Sequence, residues 1–105
     1  MKRFEVWWAR LDPATGAEMR KTRPCVVLSR EAMNARLRTV IIALLTGAGF
    51  LAPFRVACHI AGKEGQIALD QLRVVDKARL VSRLAVLDAA TIQLVVPALT
   101  EMFRE

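Results

Sequence analysis

Three polar points in this chain stand at the ends of apolar runs. Arg23 precedes Pro24-Cys25-Val26-Val27-Leu28, Thr46 follows the run from Arg38 to Leu45, and Asp70-Gln71 closes the segment that begins at Gln66. An arginine is always protonated, and its planar fork can bind two oxygens of a phosphate or carboxylate at once. A threonine hydroxyl adds a neutral donor, and a carboxylate can accept a proton. Strand ends that meet at one rim bring such groups together from distant positions. Each residue also has a plainer reading: Arg23 as a surface cation, Thr46 as a turn hydroxyl, Asp70 as the partner of a neighbouring arginine. Spacing alone leaves both readings open.

The remaining residues narrow the chemistry. The single histidine, His59, has no second ligand at a metal-binding spacing, which argues against metal-dependent chemistry, and no cofactor is expected. Cys25 and Cys58 lie in apolar segments and read as small buried hydrophobes, not as a disulfide or zinc site. No glycine-rich loop closing on Lys-Ser or Lys-Thr is present to cradle a nucleotide.

Around these points must stand a fold that 105 residues can build, and that length fits one domain over residues 1–105, with no repeat or linker. Hydrophobic residues make up 54%, a surplus that homo-oligomerisation would cover. The net charge of +6, with arginine as 12 of the 16 cations, points to an anionic partner such as RNA, DNA or an acidic protein. The uncharged window from Thr39 to Phe54 is too short and too broken by glycine and proline to span a membrane. The N-terminus turns acidic at Glu5 before any apolar signal region forms, so a cytoplasmic location is expected.

Alternation over Phe4 to Leu11 predicts a half-buried strand, followed by turn chemistry at Asp12 to Gly16. Cys25 to Leu28 reads as a fully buried strand entered by Pro24, with Ser29 capping a short helix to about Leu37. Arg38 to Leu45 is the strongest central strand, closed by Thr46-Gly47-Ala48-Gly49. Phe54 to Ile60, a turn at Ala61 to Gly65, and Gln66 to Leu72 predict a hairpin. Asp76 caps one turn, Arg83 to Leu87 forms a last strand, and Asp88 caps a C-terminal helix. That helix carries Ile92, Val95, Val96, Leu99, Met102 and Phe103 on one face and a kink at Pro97. The pattern describes a mainly β, α+β domain: a small, mostly antiparallel barrel with short helices and a C-terminal amphipathic helix.

The order of the motifs carries more than any one of them. Glu5-Val6-Trp7-Trp8 with Leu11-Asp12-Pro13, then Gly16-Ala17-Glu18, then Thr22 to Ser29, then Leu45-Thr46-Gly47, and finally Asp70 to Leu80 closely resemble the MazF/PemK family of toxins over nearly the whole chain. The resemblance implies an SH3-like barrel of the kind that MazF and CcdB toxins share. It further implies the toxin of a type II toxin–antitoxin pair, acting as a homodimer. The implied activity is a metal-independent, sequence-selective endoribonuclease for single-stranded mRNA, in which the 2′-OH attacks the adjacent phosphate and leaves 2′,3′-cyclic phosphate and 5′-OH ends. Its implied partners are RNA, a cognate antitoxin and, only together with that antitoxin, operator DNA.

Position by position, the resemblance gives Arg23 as the catalytic arginine, Thr46 as the catalytic threonine and Asp70 as the general base of the PemK-like branch. It gives Gln71 as an RNA-contacting neighbour and Glu18 as a loop residue shaping the site. In-line transfer builds negative charge on the equatorial phosphate oxygens, where Arg23 and Thr46 would donate. Asp70 would need an apolar setting to lift it from a reference pKa of about 3.9, against the pull of nearby arginines. Arg20, Lys21, Arg55 and Arg73 are the expected phosphate contacts, and Trp7 the expected exposed stacking face. Ala17 and Ala68 stand where some PemK-like relatives carry histidine and arginine, which leaves Arg23 and Thr46 as the core. The alternative is a non-catalytic toxin of the same fold that inhibits DNA gyrase, or an inactive homologue that binds only antitoxin or RNA. Such a binder would not need Arg23 and Thr46 together.

Overall fold

The computed structural model describes residues 1–11 and 22–105. The turn expected at 12–16 and the expected RNA contacts Glu18, Arg20 and Lys21 lie outside the described residues. The elements run β1 (Glu5–Ala9), β2 (Arg23–Val27), α1 (Glu31–Arg36), β3 (Thr39–Thr46), β4 (Arg55–Ile60), β5 (Lys63–Asp76), a 3₁₀ turn (Lys77–Arg79), β6 (Leu80–Val86) and α2 (Ala89–Met102).

All the strand pairs are antiparallel and form one sheet in the order β4-β5-β3-β2-β1-β6. The sheet curls until Cys58 and Ile60 of one edge and Leu84 of the other line a common cavity and pack on a common core. This is the expected small antiparallel barrel, left open between its edges. Alternation splits the buried residues between two clusters. Val6, Val26, Leu45, Ile67 and Leu69 join Val95 of α2 on one side, and Ala9, Cys25, Val27, Ile42 and Leu44 lie together on the other. The central strands are therefore covered on both faces, and β1, expected to be half-buried, buries Val6 and Ala9 alike.

Several local expectations change. Ser29 does not cap α1, whose N-cap is Arg30 with no side-chain bond. Instead the Ser29 hydroxyl, buried, donates to Asn34 Oδ1 at 2.5 Å and accepts from the Ile41 N–H at 3.0 Å. It ties helix to strand, as a buried polar group must find partners somewhere. The β4–β5 turn is only Ala61-Gly62, with φ of 50° and 81°, the two positive values of a type I′ hairpin. Lys63 to Gly65 already belong to β5. Asp76 caps its turn by accepting from the Ala78 N–H, and Asp88 caps α2 by accepting from the Thr91 N–H, both as expected. The helix buries Val95 and packs Ile92, Leu99 and Met102 but leaves Val96 exposed, and Phe103, expected on the same face, lies exposed just past the helix end at Met102.

Candidate functional site

Antiparallel register decides which strand ends meet. Cys25 pairs with Leu44, and Ala9 with Arg23, so the start of β2 and the end of β3 fall at the same rim. Arg23 and Thr46 both line one cavity of about 490 Å³, together with Trp8, Pro24, Cys58 and Gly65. Arg23 is exposed, and among the described residues none of the ion pairs involves it. Pro24 follows it with a fixed φ, opposite Trp8, so the guanidinium projects from a stiff strand end. Among the described residues the Thr46 hydroxyl makes only a long 3.4 Å bond to the Gly47 carbonyl, which leaves it available to another acceptor.

Gly65 is a site-building residue that sequence reading missed, having placed it in the hairpin turn. A Cβ there would stand 2.7 Å from the Thr46 carbonyl oxygen. Only glycine lets β5 approach the backbone of Thr46 so closely, and a glycine within a strand pattern is the signal that could have revealed it.

The third expected catalytic residue lies in an irregular part of β5. Between the pairs Ala43–Leu72 and Leu44–Ala68, β5 bulges, and Asp70 and Gln71 fall in the bulge. Asp70 is not among the residues lining the Arg23–Thr46 cavity. Its carboxylate accepts from Arg55 Nε at 2.6 Å and from Nη2 at 3.0 Å. The Arg55 hydrogen bond outweighs desolvation and holds the Asp70 carboxyl below its ordinary pKa, the direction opposite to what a general base at neutral pH requires. Asp70 thus takes up the plainer reading, the partner of a neighbouring arginine. Gln71 and Arg73 are exposed further along β5.

The two tryptophans also differ from expectation. Trp7 is half-buried, packs against the second core cluster, and donates its indole N–H to Glu5 Oε1 at 3.0 Å. Trp8, not Trp7, lines the cavity. Period two alone could not say which of two adjacent tryptophans faces a cavity whose walls come from both edges of a curled sheet.

Residues 2–103 match the model of the PemK-like, MazF-like toxin family of type II toxin-antitoxin systems. The chain belongs to this family. A MazF/PemK relative, the endoribonuclease MazF of Staphylococcus saprophyticus, is 32% identical over 95 residues, covering 83% of this chain and 78% of that protein. MazF of Deinococcus radiodurans, solved in a MazE-MazF crystal, superposes with a TM-score of 0.80 at 25% identity over 97% of this chain and 94% of that one. An endoribonuclease from Mycobacterial species, solved in complex with its cognate antitoxin, gives a TM-score of 0.81 at 22% identity, covering 96% and 92%.

Other groups of this MazF/PemK chain fall into place by burial. Cys25 is fully buried, and burial pushes its thiol pKa up to about 12, which makes it an inert core residue as expected. Cys58 is half-buried, and burial followed by the Asp88 charge raises its pKa too. His59 is exposed on β4. Among the described residues no group of three His, Cys, Asp or Glu side chains could hold a metal ion, and no helix is long and apolar enough to cross a membrane.

Proposed function

We propose that this chain is the toxin of a type II pair and an endoribonuclease that cuts single-stranded RNA, mRNA above all, at preferred sequences. The observation that carries the reading is the meeting of Arg23 and Thr46, distant in sequence, on one cavity at a single strand-end rim. The 2′ oxygen forms a bond to the adjacent phosphorus while the bond from phosphorus to the 5′ oxygen breaks. A 2′,3′-cyclic phosphate and a 5′-OH result, with the 2′ proton leaving and a proton returning to the 5′ oxygen. Arg23 donates to the equatorial phosphate oxygens as their charge grows, and Thr46 adds a neutral donor that fixes the phosphate.

Asp70 remains ionised beside Arg55, and that lowered pKa disfavours it as the acceptor of the 2′ proton. We assign it to holding Arg55 in place toward the strand. Arg55 at the start of β4 and Gln71 and Arg73 further along β5 are the RNA contacts among the described residues, with Glu18, Arg20 and Lys21 contributing from the segment between β1 and β2. An acidic antitoxin segment would cover the same rim, in keeping with the antitoxin complexes in which two similar toxins were solved. Operator DNA would be met only with that antitoxin. A homodimer would cover apolar surface left at the edge strand and on the last helix, where Val81, Val86 and Leu94 are exposed.

The deciding experiment incubates purified protein with single-stranded RNA in EDTA and maps the ends. Cleavage to 5′-hydroxyl fragments is expected, and Arg23→Ala should abolish it while its melting curve stays that of the wild type. A folded protein that never cuts RNA would sink the reading. DNA breaks accumulating on expression while RNA stays whole would install gyrase inhibition instead.

A further inference from the structure

Phe50 stands 52% exposed in the β3–β4 connection, yet it is held from several sides. Buried Gln66 donates its Nε2–H to the Phe50 carbonyl at 2.5 Å and accepts the Phe50 N–H at Oε1, 3.4 Å away. A buried side-chain amide is thus spent on one exposed residue's backbone. The Arg55 guanidinium lies 4.9 Å from the Phe50 ring centroid, and Asp70 fixes that guanidinium through its two bonds. The Phe54 ring, tilted by 47°, sits 6.3 Å away. Phe50 is therefore an exposed aromatic whose backbone and ring are both constrained, the opposite of a loose loop tip.

Its place ties it to the site. Gln66, which clamps it, is the cross-strand partner of Thr46, and partners across an antiparallel pair share a face of the sheet. On β4, Arg55 pairs with Ala68 and Ala57 with Gln66, which puts Arg55 on that face too. Only Gly47, Ala48 and Gly49 separate Thr46 from Phe50.

We propose that Phe50 is a stacking platform for an unpaired base of the RNA strand, beside the phosphate that Arg23 and Thr46 engage, and so sets where the strand is cut. The proposal rests on the ribonuclease reading above. Single-stranded RNA is read by splaying bases onto aromatic or guanidinium planes. One such stack changes affinity by about tenfold or more. Arg55 behind the ring adds a cation to the stack, and Gln66 acts as a positioning residue.

The test titrates a short RNA with 2′-O-methyl riboses, which cannot cyclise, into wild type, Phe50→Ala, Phe50→Trp and Gln66→Ala, and maps the cut sites of each on a natural RNA. Phe50→Ala should weaken binding about tenfold and spread the cut sites, with an unchanged melting temperature. Phe50→Trp should restore both, and the emission it adds over wild type should be quenched by RNA. Gln66→Ala should act in the same direction as Phe50→Ala although the ring is still present. Wild-type binding and cut sites in Phe50→Ala, or an unquenched Phe50→Trp in an RNA-bound protein, would overturn the platform alone. A wild type that neither binds nor cuts RNA would remove the ribonuclease reading and the platform with it.

Discussion

The proposed function gives a hydroxyl and a carboxylate on neighbouring strands different duties, and each makes its own prediction. Thr46 offers one neutral donor at the rim, so Thr46→Val, which keeps the β-branched shape, should lower kcat by about 10²–10³-fold and leave KM nearly unchanged. Thr46→Ser should keep most of the activity. Single-turnover cleavage of a defined oligonucleotide measures both, and a wild-type rate in Thr46→Val would remove the hydroxyl from the chemistry. Asp70 is predicted to act on stability. Its folded pKa lies below the unfolded value of about 3.9 because Arg55 donates to it. As pH falls the unfolded chain takes up the proton first, so the stabilisation is complete above about pH 4 and fades as pH drops through the lowered folded value. The difference in melting temperature between wild type and Asp70→Asn should accordingly be flat near neutrality and shrink in acid. A difference that grows on acidification would contradict the pairing.

Elements set the positions these residues occupy, and the tightest fit is between β5 and β3. Gly65→Ala places a methyl 2.7 Å from the Thr46 carbonyl oxygen, so one strand must move. Overpacking of this kind costs about 1–3 kcal/mol, to be read from urea unfolding. Because the displaced backbone carries Thr46, cleavage should fall by more than the lost fraction of folded protein; a Gly65→Ala protein as active and as stable as wild type would disprove the contact. Most strands were legible: alternation marks β1 and β4, apolar runs mark β2 and β3, and Asp88 announces α2, while the last strand, expected at Arg83 to Leu87, starts earlier and runs Leu80–Val86. That Arg23 and Thr46 end apolar runs was legible too, and the structure brings both to one cavity, while the catalytic roles proposed for them come from the family resemblance. What stayed hidden depends on partners far along the chain. The bulge at Asp70-Gln71 breaks the alternation of β5, so only its middle was read. Ser29 looks like a cap until Asn34 and the Ile41 amide are brought to it. The Gln66–Phe50 clamp spans 16 residues and leaves no periodic trace.

For the whole molecule the governing quantity is charge, and it yields a prediction that separates a bound strand from diffuse attraction. A net charge of +6 attracts any polyanion, but only cations that meet phosphates release counterions on binding. Each such contact on a single strand steepens the fall of log affinity with log salt by about 0.7, so Arg23, Arg55 and Arg73 together with Arg20 and Lys21 give a slope of about −3.5. Raising salt from about 50 to 200 mM should then weaken binding of the uncleavable RNA about 100-fold. Arg73→Ala should reduce the slope by about 0.7. Arg104→Ala, which removes a cation already paired with Glu101 beyond α2, should leave the slope unchanged although it lowers the net charge equally. Equal effects from the two substitutions would mean that overall charge, not a track running from the Arg23–Thr46 rim along β5, holds the RNA.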